Sequence, residues 1–207
     1  MKEVKRMAWV LGWAIPVQWF EHRVLSTYPN DKHTFINASP DFILDLKASA
    51  PYDHIIGYSL GSLLILLNEA KVKPLASEIT LISPILGFLR EMGMGGTTPR
   101  VKLKYAMREF KINPIKACIN FYALTGLNVS EALIESLHLD HLSWGLDQLE
   151  TNIITSPVPL YCNVYVGKLD PLSDTVLLKN NIPQLRCIDE ATHDPTLLIK
   201  AIEKVTQ

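Results

Sequence analysis

Six short runs of β-branched, aromatic and other apolar residues punctuate the chain: MAWVL (7–11), HTFIN (33–37), HIIG (54–57), EITLIS (78–83), LYCNVYV (160–166) and LRCID (185–189). Each is strand-length, and most carry apolar residues consecutively instead of alternating with polar ones. That pattern belongs to strands buried on both faces of a parallel sheet. Parallel neighbours cannot be joined by tight hairpins, so a crossover must follow each strand. Helical patterns at 41–48, 60–70 and 195–205 supply some of these crossovers. A chain of 207 residues is one domain by default. The expected class is α/β, with about six mostly parallel strands and helices on both faces. In such sheets chemistry is carried at the carboxyl ends of the strands.

The alternation stops between residues 88 and 150, where helical sequence runs on without a strand. Gly93, Gly95 and Gly96 mark the entry, and Thr98 and Pro99 read as N-cap and first helical residue. The expected organisation is a core of 1–87 and 151–207, with 88–150 inserted over the strand ends as a short helical lid.

The third run ends in the stretch GYSLG, Gly57 to Gly61, and a helical pattern follows at once. A strand that reverses sharply into a helix drives its central residue toward positive φ and needs small neighbours. In return the Ser59 hydroxyl stands above the sheet, next to the free N–H groups of a helix N-terminus. G-x-S-x-G between a strand and a helix is the nucleophile-elbow pattern. A serine needs a base, and the base needs an orienting acid. Asp170 follows the fifth run, with Asp174 as its rival, and His193 follows the sixth. Acyl transfer also needs two donors for the developing oxyanion. The backbone N–H of Leu60, directly after the serine, is one. The N–H of Trp13, in the loop LGWAIP after the first run, is the other.

Other features narrow the function class. The net charge is -1, and no nucleic-acid signal stands out. Cys118, Cys162 and Cys187 are widely spaced and contain no CxxC pair, which fits free thiols in a reducing compartment. The apolar stretch after Lys2, Lys5 and Arg6 mimics a leader, but Gly12, Pro16 and Gln18 interrupt it and no A-x-A-like site follows. It is too short to span a bilayer. His54 reads as a core residue. His138 and His141 have no third ligand at suitable spacing, so neither a metal nor another cofactor is expected. There is no G-x-G-x-x-G and no P-loop.

The elbow, the order Ser59–Asp170–His193 and the Trp13 loop together resemble the α/β-hydrolase superfamily over most of the chain. The closer similarity is to esterases of biotin synthesis that cleave pimeloyl-acyl-carrier-protein methyl ester. It rests on Gly12–Trp13–Ala14, on Tyr58–Ser59–Leu60–Gly61, on Trp19, and on SWGLDQL at 143–149. The chain departs from that group where Leu11–Gly12 replaces His-Gly, where Thr192–His193 replaces Gly-His, and in lacking the usual first two strands. The resemblance implies a trimmed α/β-hydrolase fold and a cytoplasmic serine carboxylesterase working through an acyl-enzyme. An esterase, thioesterase or lyase acting on a small free substrate, and a catalytically silent scaffold, are the alternatives. An acyl carrier protein is the implied partner, and Arg100, Lys104, Arg108 and Lys111, spaced to share one helix face, are the candidate docking residues.

Overall fold

The computed structural model describes residues 4–203. Six strands form one fully parallel sheet in the order β2-β1-β3-β4-β5-β6: β1 (Arg6–Val10), β2 (Lys32–Ile36), β3 (Tyr52–Tyr58), β4 (Ala76–Ile82), β5 (Cys162–Gly167) and β6 (Leu185–Ile188). The first part of the apolar stretch after Arg6 is therefore an inner strand of the sheet, and the rest forms the Trp13 loop and the start of a helix. Trp9 pairs with Phe35 on one side and Ile56 on the other. Both faces of the central strands are filled: Trp9, Val10, Ile55, Ile56, Leu81 and Val166 are fully buried.

Helices α1 (Val17–Leu25), α2 (Phe42–Ala48), α3 (Leu60–Leu67) and α4 (Glu69–Val72) connect the first four strands. From β1 the chain steps outward to β2, then returns past β1 to β3. Right-handed crossovers in opposite directions put α1 and α3 on opposite faces. The loops after β1 and β3 therefore diverge, and a crevice opens at the carboxyl ends of these two adjacent strands. That crevice holds Trp13 and Ser59.

Between β4 and β5 lie α5 (Arg100–Ile112), α6 (Pro114–Thr125), α7 (Glu131–Ile134) and α8 (Leu139–Thr151). The helix start differs from the expectation at 98–99. Pro99 is the residue before α5, and the Thr98 carbonyl accepts from the Arg90 N–H at 2.9 Å instead of entering the helix. Two helices were not read from the sequence, α1 and α9 (Thr175–Asn181). The last helix, α10 (Thr196–Glu203), packs on α1. Residues 204 and 205 of its expected span lie outside the described residues.

Candidate active site

Ser59 sits between β3 and α3 with φ 53° and ψ −116°, the strained geometry expected of a sharp strand-to-helix turn. Several contacts hold it there. Its N–H donates to the Ile82 carbonyl at 3.0 Å. Its carbonyl accepts the Ser62 hydroxyl at 2.6 Å, and the Ser62 oxygen accepts the Ile85 N–H at 3.0 Å. Gly61 shows why the motif needs glycine after the serine. A Cβ there would stand 2.1 Å from the Val10 carbonyl oxygen, so α3 could not lie against β1.

His193 and Asp170 meet beyond the ends of β6 and β5. His193 Nδ1 lies 2.8 Å from Asp170 Oδ2, and the Leu172 N–H donates to Asp170 Oδ1 at 2.9 Å. A charged carboxylate only accepts, so Nδ1 carries the proton and Nε2 is left as the acceptor. Nε2 is buried and has no partner. Burial works against the Asp170 charge. The adjacent His193, its hydrogen bond, the Leu172 N–H and the nearby Ser83 hydroxyl outweigh burial and hold the carboxyl below its usual value of 3.8. Asp174 does different work. Its carboxylate caps α9, accepting from the N–H groups of Val176 and Leu177 at 3.0 Å.

The two proposed oxyanion donors flank Ser59. Leu60 begins α3, where N–H groups lack intrahelical partners. Trp13 lies in the loop whose Gly12 faces the serine: a Cβ on Gly12 would stand 3.1 Å from Ser59 Cβ. The Trp13 indole N–H is already committed to the Leu142 carbonyl at 2.8 Å, so only its backbone N–H is available toward Ser59. The next residue, Ala14, has φ 56°, and its carbonyl accepts the Tyr122 hydroxyl of α6.

Three contributors were missed in the sequence. Tyr58, fully buried, donates its hydroxyl to the His193 carbonyl at 2.8 Å and lays its ring 5.4 Å from the imidazole. Burial first, then Asp170, pushes its phenol pKa well up, so it remains a donor. Its place before the serine in GYSLG was the available signal. Ser83, with φ 46°, directly follows β4 with a buried hydroxyl that makes no hydrogen bond of ordinary geometry, although it lies near Asp170. Phe121 of α6 meets His193 edge-on at 6.4 Å and Trp13 at 5.0 Å. Nothing local in the sequence pointed to that meeting.

Ser59, Asp170 and His193 are each no more than 5% exposed. Two cavities meet at Trp13, which lines both; Ser59, Asp170 and His193 are on neither lining. The larger, about 340 Å³, is apolar and runs under α5, α6 and α8 past Leu103, Phe121, Leu146 and Leu172, with Lys102 and Glu109 also on its lining. The smaller, about 200 Å³, lies against Gly12 and the start of α8.

The remaining candidates fall elsewhere. His54 is a core residue, with Nε2 2.7 Å from the Thr80 hydroxyl, and burial lowers its pKa to about 3. Glu78 is 3.8 Å from the other ring nitrogen, but a ring kept neutral by burial forms no ion pair there. The His138 and His141 rings lie 5.1 Å apart, tilted by 43°, and no cluster able to hold a metal occurs among the described residues. Cys118 and Cys162 are buried free thiols, and Cys187 is half-buried. Arg100 reaches Glu150 at 4.0 Å, whereas Lys104, Arg108 and Lys111 are exposed and make no ion pair among the described residues. Trp19 donates to the Asn128 carbonyl at 2.6 Å and carries the Arg23 guanidinium on its ring. No helix among the described residues is long and apolar enough to cross a membrane.

Neither a protein-family model nor a curated protein matches the sequence. Solved structures do. A hydrolase from Oleispira antarctica superposes with TM-score 0.73 at 14% identity, over 99% of this chain and 91% of that one. An esterase from Exiguobacterium antarcticum gives 0.73 at 11%, over 100% and 91%. A thermophilic esterase from Thermogutta terrifontis gives 0.63 at 14%, over 98% and 87%. At this identity the likeness establishes the fold. The chain has a trimmed α/β-hydrolase fold of six parallel strands.

Proposed function

We propose that the protein is a serine hydrolase of carboxylic esters. Ser59 attacks the ester carbonyl, and His193 Nε2 takes its proton. Asp170 holds the imidazole tautomer and stabilises the cation that forms. The N–H groups of Leu60 and Trp13 receive the oxyanion. His193 then returns the proton to the leaving alcohol, and water repeats the sequence on the acyl-enzyme. The observation that carries this reading is the pairing of the strained elbow at Ser59 with an imidazole bonded to Asp170 on one side and unpartnered on the other. A fluorophosphonate probe tests it. Labelling of Ser59, abolished in Ser59→Ala, is the expected result. A correctly folded protein that never labels would leave the silent scaffold as the better account.

The finer reading is hydrolysis of pimeloyl-acyl-carrier-protein methyl ester in the cytoplasm, within biotin synthesis. It is supported by the Gly12–Trp13–Ala14 and Tyr58–Ser59–Leu60–Gly61 resemblance. Exposed, unpaired Lys104, Arg108 and Lys111 also support it, because like charges on one helix face are slightly unfavourable until something negative visits. In this reading 88–150 acts as a lid, and the apolar cavity beneath it takes the acyl chain. The volume of that cavity, about 340 Å³, equally suits a small free ester, which is the second reading. Turnover of carrier-linked against free pimeloyl methyl ester separates the two.

A further inference from the structure

The smaller cavity differs in chemistry from the larger one. Its lining contains no Lys, Arg, Asp or Glu, yet it gathers Gln18, Asn37, His138 and His141 beside the Gly12–Trp13 loop. His141 is half-buried and Gln18, Asn37 and His138 are exposed; none of these four side chains makes a hydrogen bond within the described protein, and the two imidazoles lie 5.1 Å apart. Ser136, also on the lining, is already committed to the Leu133 carbonyl. Two amides and two imidazoles thus offer both donors and acceptors with no fixed charge. Such a lining suits a neutral hydrogen-bonding group better than an ion. The cavity starts at Gly12, which faces Ser59, and the Trp13 ring separates it from the apolar cavity. That ring is pinned by Leu142 and Phe121, so the two compartments stay distinct.

We propose that this cleft is a subsite for a neutral hydroxyl- or amide-bearing group of the substrate, so that the preferred ester is amphiphilic, with its apolar part on the other side of Trp13. The inference rests on the esterase reading. Three butanoate esters test it: ethyl, glyceryl, and the ester of N-acetylethanolamine. Wild type should prefer at least one polar ester over the ethyl ester by roughly tenfold in kcat/KM, the worth of one or two hydrogen bonds. Asn37→Leu with His141→Leu should bring that ratio to near unity, mainly through KM. Absence of the preference in wild type, or its survival in the double variant, would overturn the subsite.

A second measurement needs no turnover. 1-O-butylglycerol, an ether, should shift the imidazole NMR signals of both His138 and His141 saturably, whereas ethyl butyl ether should not. If no ester is turned over but the shifts appear, the esterase reading fails and the cleft remains a polar binding site. If the diol ether produces no shifts, the subsite fails, whatever the activity.

Discussion

The strand ends and the helical segment above them are built on different principles. At the strand ends each key residue is held by more than one local or inter-strand bond. Ser59 is fixed by Ile82 and Ser62, and His193 by Asp170 and Tyr58. The helices between β4 and β5 carry much of their outer surface to solvent. Tyr105 is 68% exposed and Ile112 78%, and their links to the site are few long-range contacts made by Trp13, Tyr122 and Phe121. The support at the strand ends surrounds the residues to which the proposed mechanism assigns the proton transfer. The helices above join the core through inner residues such as Leu103, Phe110 and Leu146 and leave their outer faces to solvent.

That contrast ranks the effects of substitution. Asp170→Asn should lower kcat about ten-thousand-fold, because an amide favours the wrong tautomer and cannot stabilise the imidazolium. Asp174→Asn, only four residues on, should change kcat by less than about threefold, since asparagine caps a helix as well as aspartate. Paired steady-state kinetics on the two variants check the assignment, and the reverse order would move the acid to Asp174.

The same rigid platform should weaken in acid. His54 stays neutral in the fold down to about 3, whereas an unfolded histidine takes up its proton near 6.5. Between those values the unfolded state binds more protons, so stability falls as pH falls, by up to a few kcal/mol. Urea titrations from pH 7 to 4 should show this slope, and His54→Gln should flatten it. Asp170 adds a further loss only below its usual value of 3.8, as pH approaches its depressed folded pKa.

A smaller effect is expected from Tyr58→Phe, which removes the bond to the His193 carbonyl and costs roughly 1 kcal/mol. kcat should drop several-fold with KM unchanged. A change in KM alone would assign Tyr58 to substrate binding and not to holding the base.

The smallest effect belongs to the outer helices. Arg108→Glu with Lys111→Glu should leave a small soluble ester nearly untouched and slow a carrier-linked one, and added salt should slow the wild type in the same way. Equal losses on both substrates would indicate a damaged lid.

The same division governs what could be read from the residues alone. All six strands were legible because burial on both faces leaves a strong apolar signature. Ser59, Asp170 and His193 could be singled out as candidates because each follows a strand at the carboxyl end of the sheet. Helix α1 was missed because VQWFEHRVL continues an apolar, tryptophan-rich stretch after Pro16. Helix α9 was missed because its cap, Asp174, was weighed only as an acid. The Trp13–Leu142 and Phe121–His193 contacts join distant parts of the chain, and no local pattern encodes them.

The central claim is that Ser59 and His193 act as one unit. Ester hydrolysis by Ser59→Ala, His193→Ala and the double variant, measured on the same substrate, tests it most directly. If the two form one machine, each single change removes nearly all the rate and the double variant is no worse than either. Losses that multiply in the double variant, or a His193→Ala protein that retains most of its activity, would contradict the account.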